Sequence, residues 1–363
     1  MGQARGGPDP GGSNVKEVPL FRARCRTCAF LTCLILLAIL PGPSGSLQAA
    51  SWTVDANLGH DADFTSPQAA NDDARVLHGD VLCVAGCQTS YGDATFTKRL
   101  IVRGPGYFLS ENKPELNSYS AATLGAVTFT STPGGPFEDP SSSAGSVMMG
   151  INAERYGAIY VNDVTIQRCR MAYALIQGDN CSILQCYMVS VSYYGVHVEN
   201  ADNSLVSNCF FPCGIAISQG SNGAVVQNNV VDIYFQLNSP DSYAANNILL
   251  FANPASFVAN GIFKNNMLAA AADFLPAGNG NVNHVNPATV FVGTGSTDGK
   301  WQLKAGSPAL GAGVNGADMG MFGGATPYVL SGLPAIPTVA VDAGPTGTGL
   351  SGLRIKVTAQ SHN

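Results

Sequence analysis

Between residues 164 and 268 the chain repeats one arrangement of apolar and polar positions. VTIQRCR (164–170), ILQCYM (183–188), LVSNCFF (205–211), VVQNNVV (225–231), ANNILL (245–250) and IFKNNML (262–268) each set a pair of polar residues or cysteines inside a β-branched or aromatic run. A half-buried strand would alternate, and an amphipathic helix would space its apolar residues by three and four. The pair does neither. Asparagine is a poor strand former, so the doublet marks a special backbone position within each run. Aligned on the second residue of the pair, one column reads Cys169, Cys186, Cys209, Asn229, Asn247, Asn266, with steps of 17, 23, 20, 18 and 19 residues. The preceding column, Arg168, Gln185, Asn208, Asn228, Asn246, Asn265, is always polar. A period near 20 residues with degenerate content is the mark of a solenoid.

Short alternating runs lie between these segments: AIYVN (158–162), ALIQG (174–178), GVHVEN (195–200), GIAISQ (214–219) and YFQLN (234–238). Their inward positions are Ile159/Val161, Ala174/Ile176, Val196/Val198, Ile215/Ile217 and Phe235/Leu237. Each turn of the coil, or rung, therefore carries at least two strands joined by turns such as QGDN, ENADN, SQGSN and NSPDS. No helix-period leucine pattern separates the strands, which disfavours leucine-rich and helical repeats. The predicted fold is all-β, a right-handed parallel β-helix, because parallel crossovers are almost always right-handed. Within it the aligned column Cys169, Cys186, Cys209, Asn229, Asn247, Asn266 is a structural ladder, whose inward amides satisfy turn backbone that would otherwise be buried without partners.

The flanks fit around that solenoid. In residues 1–50, Arg22, Arg24 and Arg26 precede the apolar run AFLTCLILLAIL (29–40) and then PGPSGSLQAA, the order of an export signal. Twelve apolar-leaning residues are short for a membrane span, and no later segment reaches 18. An exported protein, extracellular, periplasmic or on the cell surface, is expected. Residues 51–115 are read as an N-terminal cap and first rungs, with a capping helix in TSPQAANDDAR (65–75), Ser66 at its N-cap and Pro67 at the first helical position. Residues 116–275 hold the main rungs. From 276 to 363 the period disappears and Gly and Pro accumulate, which predicts an irregular C-terminal cap with a small hairpin.

Charge narrows the partners. Removing the five basic and two acidic residues of the leader from 18 and 24 leaves 13 and 22, a net charge of −9 for the rest. A sparse, mildly acidic surface argues against nucleic acid and anionic membranes, and also against highly anionic polysaccharides unless calcium bridges the two. No Ser-His-Asp context, HExxH, phosphate loop or CxxC pair occurs after the leader, which excludes nucleotide, redox-cofactor and zinc chemistry of the usual kinds.

DFTSPQAANDDARVLHGDVLCVAG, RGPGYFLSEN, TIQRCRM and the ending WQLKAGSPALGAG…ADMGMFGG resemble secreted bacterial right-handed parallel β-helix proteins of the pectate-lyase-like superfamily. These pieces cover most of residues 60–325 and specify the fold, not a reaction. The resemblance implies relatives that include polysaccharide lyases, hydrolases and epimerases beside surface proteins without known activity.

Such enzymes carry their chemistry on the outer face of stacked strands. The outward columns here run Asn162, Gln177, Glu199, Ser218, Asn238 and Tyr160, Leu175, His197, Ala216, Gln236. His197 and Glu199, two apart, would share a face about 7 Å apart and form the acid/base candidate. Glu199 and Asp232 form a second carboxylate couple for glycoside hydrolysis. Asn162, Gln177, Ser218, Asn238, Tyr193 and Tyr194 are the candidate substrate contacts, with Phe210 and Phe211 as further stacking surfaces. The turn aspartates Asp179, Asp202 and Asp241 could form a calcium row, although Asp in such turns usually caps its own backbone. No other cofactor is implied. Seven cysteines follow the leader, and either disulfides (Cys83 with Cys87, or within the stacked column) or a buried thiol column would accommodate them. The rungs hold few basic residues. Hence the leading expectation is a carbohydrate-associated binding or surface-structural protein, and the alternative is a polysaccharide lyase or glycosidase.

Overall fold

The computed structural model describes residues 49–59, 61–112, 120–131, 142–190, 194–334, 338–342 and 356–360. The export segment lies outside them apart from Ala49 and Ala50, and so does Tyr193. No helix among the described residues is long and apolar enough to cross a membrane.

The chain forms a parallel β-helix with three short strands in a typical rung, as in Ser182–Leu184, Tyr187–Met188 and Val196–Val198. Ten first strands stack in one parallel sheet from Ser51–Val54 to Ile262–Lys264. The second and third strands form the other large sheet, fused where Ile151–Ile159 and Arg170–Ile176 run through the corner between them. Inside the coil, Ile166, Ile183, Val206 and Val226 stack in register from the first strands. Ile159, Ala174, Ile176, Val196, Val198, Ile215, Ile217, Phe235 and Leu237 meet them from the third strands, and all are buried. The hydrophobic effect of this continuous core holds the stack together.

The polar doublet turns the corner between first and second strands. Its first member adopts a left-handed backbone in every rung: φ is 52° at Arg168, 54° at Gln185, 57° at Asn208, 54° at Asn228, 56° at Asn246 and 49° at Asn265. Asparagine tolerates that region better than other non-glycine residues, which explains its recurrence there. The second member points inward. Asn247 Oδ1 accepts the Asn229 N–H and the Asn229 Nδ2 group, each at 3.0 Å, while Asn247 Nδ2 donates to Val226 O at 2.8 Å. Asn266 stands in the same relation to Asn247, and Asn281 continues the column beyond the last named strand. In the earlier rungs a thiol takes the place. Cys169, Cys186 and Cys209 Sγ donate to Met148, Ile166 and Ile183 O, the carbonyl series that continues with Val206, Val226 and Ala244 under the asparagines. Cys209 Sγ also accepts the Cys186 N–H at 3.2 Å. All seven cysteines are free, and neither the Cys83–Cys87 bridge nor one within the column forms.

At the N-terminal end the helix Pro67–Asp72 starts at Ser66, whose Oγ accepts the Ala69 N–H at 3.1 Å. It is shorter than the predicted 65–75. Gln68 and Asn71 accept N–H groups of Thr95, Thr97 and Lys98, at or just beyond the edge strand Ala94–Phe96. This supplies partners an edge strand lacks.

The segment after 275 does more than close the far end. Residues 279–282 add a partial rung on Asn265–Leu268. Residues 285–334 then fold back along the outer side of the second strands. One side chain per rung from the left-handed column holds this strap: Asn265 Nδ2 donates to Ala312 O, Asn246 Oδ1 accepts the Val314 N–H, Asn228 and Asn208 Nδ2 donate to Asp318 and Gly323 O, Gln185 Nε2 to Pro327 O, and Arg168 Nη1 to Leu333 O. Tyr187, Phe210, Val230, Ile248 and Met267, outward on the second strands, become a second core against Phe291, Met319, Met321, Tyr328 and Trp301. A flank strap in addition to the end cap follows from that apolar row needing cover. Asp298 fastens its end, accepting from Asn112, Ser296, Tyr328 and the Ser331 N–H. Thr338–Asp342 and Lys356–Gln360 pair as an antiparallel hairpin.

Candidate functional site

With the strap on the second strands, the outer face of the third strands is the surface on which the candidate residues gather. Strand pairing sets the columns. Leu175 lies opposite Ala158 on one side and His197 on the other, followed by Ala216 and Gln236. The next column runs Tyr160, Gln177, Glu199, Ser218, Asn238, Asn260, continued rung to rung by backbone bonds such as Glu199 N–H to Ile176 O. The expected columns are therefore right from residue 175 onward and displaced by two residues at the first run. Tyr160, not Asn162, is the neighbour of Gln177. Asn162 sits in the turn, where its Oδ1 accepts the Asp179 N–H at 2.9 Å.

Tyrosines border these columns. Tyr156 pairs in register with Tyr173, and Tyr234 with Gly214. Tyr194 stacks on the His197 ring at 5.3 Å and meets Tyr234 edge-on at 5.2 Å, so it spans the rungs where Gly195 and Gly214 stand. Tyr156 is 48% exposed, and Tyr160, Tyr173, Tyr194 and Tyr234 are half-buried. Burial, and secondarily the Glu199 charge, raise the Tyr173 phenol above its ordinary value; burial and the Tyr194 hydroxyl do so at Tyr234. Tyr156, Tyr173 and Tyr234 escaped the sequence reading. Their signal is local: each immediately precedes the first inward residue of its run, in YGAI, YALI and YFQL.

Side chains are cross-linked between rungs. His197 Nε2 and Ser218 Oγ are 2.8 Å apart, Gln177 Nε2 donates to Glu199 Oε2 at 2.9 Å, and Asn260 Nδ2 to Asn238 Oδ1 at 2.6 Å. His197 and Glu199 share the face but not a hydrogen bond. A Ser–His contact of that length could activate a hydroxyl, yet no carboxylate among the described residues bonds the imidazole to orient it. Glu199 is taken up by Gln177.

The Glu199–Asp232 couple does not converge. Asn238, two rungs on, occupies the column of Glu199, and Asp232 lies before the start of that rung's strand. The stretch Tyr234–Asn238 alone separates them by about 13 Å, beyond the roughly 5–9.5 Å of paired glycosidase carboxylates. Asp232 lies in a corner column with Pro212 and Leu250, and burial raises its carboxyl above 3.8. Phe210 and Phe211 are buried and offer no stacking strip.

The turn aspartates serve the stack. Asp179 Oδ1 accepts the Asp202 N–H at 2.8 Å, and Asp202 Oδ1 accepts the Asn222 N–H at 2.8 Å. Asp241 is exposed and takes no part in these bonds. Among the described residues no group of three His, Cys, Asp or Glu is placed to hold a metal ion.

Comparison with solved structures adds distant likenesses. The chain is similar to the crystal structure of pectate lyase Pel9A. The TM-score is 0.32 at 13% identity, over 76% of this chain and 97% of that one. No family model and no curated protein matches. So remote a likeness says nothing of chemistry, and the fold rests on the strand pairing described above.

Proposed function

We propose that this chain is an exported carbohydrate-binding protein that holds a glycan on the outer face of its third strands. The observation that supports this is the composition of that face: tyrosine rings beside stacked Gln177, Ser218, Asn238 and Asn260, with His197 and Glu199 between them. Aromatic rings pack against the apolar faces of sugars, and amides and hydroxyls exchange hydrogen bonds with their hydroxyl groups. Calcium has no assigned place in this reading. The same face favours a second reading, a hydrolase or lyase working through His197 and Glu199.

Retention of the purified protein on insoluble polysaccharides, with and without calcium, tests both. Retention without new reducing or unsaturated ends is expected. Tyr173→Ala combined with Tyr234→Ala should abolish retention with the melting curve intact. Product formation by the native protein that is lost in Glu199→Gln would replace binding with catalysis.

A further inference from the structure

Resting on that reading of the face, we infer that its ligand is a neutral, extended polysaccharide lying along the solenoid axis, one sugar to a rung. Three observations carry this. First, the face repeats along the axis. Adjacent strands lie about 4.8 Å apart, close to the length of one pyranose residue in an extended, equatorially linked chain. The column Gln177, Glu199, Ser218, Asn238 and Asn260 offers a polar side chain at each step, so each sugar of the polymer has a hydrogen-bonding side chain at its rung. A polymer that coils tightly would lose that register within a few residues.

Second, the charge is wrong for a polyuronate. Among the outward residues of the two main columns and their bordering tyrosines, from Tyr156 to Asn260, there is no Lys or Arg, and Glu199 is the single acidic residue. Glu154 and Arg155 sit at the margin, and Arg155 is turned toward Asp93 at 3.3 Å. A uronate chain would bring one carboxylate to each rung with no cation to answer it and one acidic side chain to repel it. Among the described residues no carboxylate cluster is placed to supply calcium instead.

Third, the amides are fixed before a ligand arrives. Gln177 Nε2 is held by Glu199 and Asn238 Oδ1 by Asn260, and among the described residues Gln177 Oε1 and Asn238 Nδ2 take no further partner. One acceptor and one donor are thereby oriented in advance, which lowers the ordering cost of binding.

Calorimetric titration with neutral, equatorially 1,4-linked oligosaccharides of increasing length, beside an oligogalacturonide series, tests the inference. Affinity for the neutral series should climb with each added sugar until the five strands from Arg170–Ile176 to Phe257–Ala259 are spanned, then level off. It should be unchanged between about 50 mM and 500 mM salt, and unchanged by a chelator. Tyr173→Ala should weaken it roughly three- to tenfold. Tighter binding of oligogalacturonides, a calcium requirement, or a plateau at two sugars would overturn the inference while leaving the face a glycan site. Absence of binding to any polymer would remove both.

Discussion

Asn229, Asn247, Asn266 and Asn281 each accept one backbone N–H from the rung before and donate to a backbone carbonyl inside the coil. A buried polar group left unpaired costs about 1–3 kcal/mol. Asn229→Leu removes the acceptor of the buried Cys209 N–H, so denaturant unfolding should show a loss of about 1–3 kcal/mol. Asn229→Cys should cost less, because thiols already occupy the same carbonyl series at Cys169, Cys186 and Cys209. Glycan retention should survive either change while the protein stays folded; lost binding in a folded variant would tie this column to the ligand. Burial disfavours the thiolate form of four of the buried cysteines. Burial raises Cys169 and Cys209 well above their ordinary value and pushes Cys181 and Cys213 up to about 12. Asp232 is a carboxylate whose charge burial likewise disfavours. Its folded pKa is raised, so its contribution to stability is complete below the unfolded value and is lost as pH rises through the folded one. Asp232→Asn should therefore raise the melting temperature at pH 7, with the gain closing as the pH falls through the raised folded value and absent below 3.8. A gain that persists at low pH would mean that the charge is not the cause.

At the scale of elements, the third-strand runs show what alternation can and cannot specify. In AIYVN both Ile159 and Val161 are apolar and buried, so a shift by two residues preserves the inward and outward sets. A period of two is blind to an even slip, and only the hydrogen bonds of Tyr160 and Gln177 to adjacent rungs choose the register. The strap is harder still to read. It has no periodicity, and the groups that hold it are main-chain carbonyls and an N–H, which nearly every residue possesses. The left-handed column was legible as uniformly polar; that its side chains grip residues 312–333 was not. Its importance can be tested by ending the chain after residue 284. Tyr187, Phe210, Val230, Ile248 and Met267 would then face water as one apolar row, and the protein should bind hydrophobic dye and aggregate. A monomeric, dye-silent truncation would show the strap to be dispensable.

At the scale of the whole molecule, the strap and the candidate face occupy different sides of the coil's exterior. One side is committed to burying the second strands, so the third strands keep a surface that is polar, aromatic and nearly uncharged. The residues expected on that surface, Gln177, His197, Glu199, Ser218, Asn238 and Tyr194, do lie together, while Asn162 and Asp232 do not, and Asp179 and Asp202 are spent on neighbouring turns. The stacking of rungs was determined by sequence alone, because a repeat of about 20 residues with an inward amide or thiol has few other ways to bury its apolar positions. Which side chains meet across rungs, and which face stays open, was decided only in the tertiary structure. Those contacts depend on turn lengths that vary from rung to rung and on a nonrepeating segment returning from far along the chain. Local pattern carries neither.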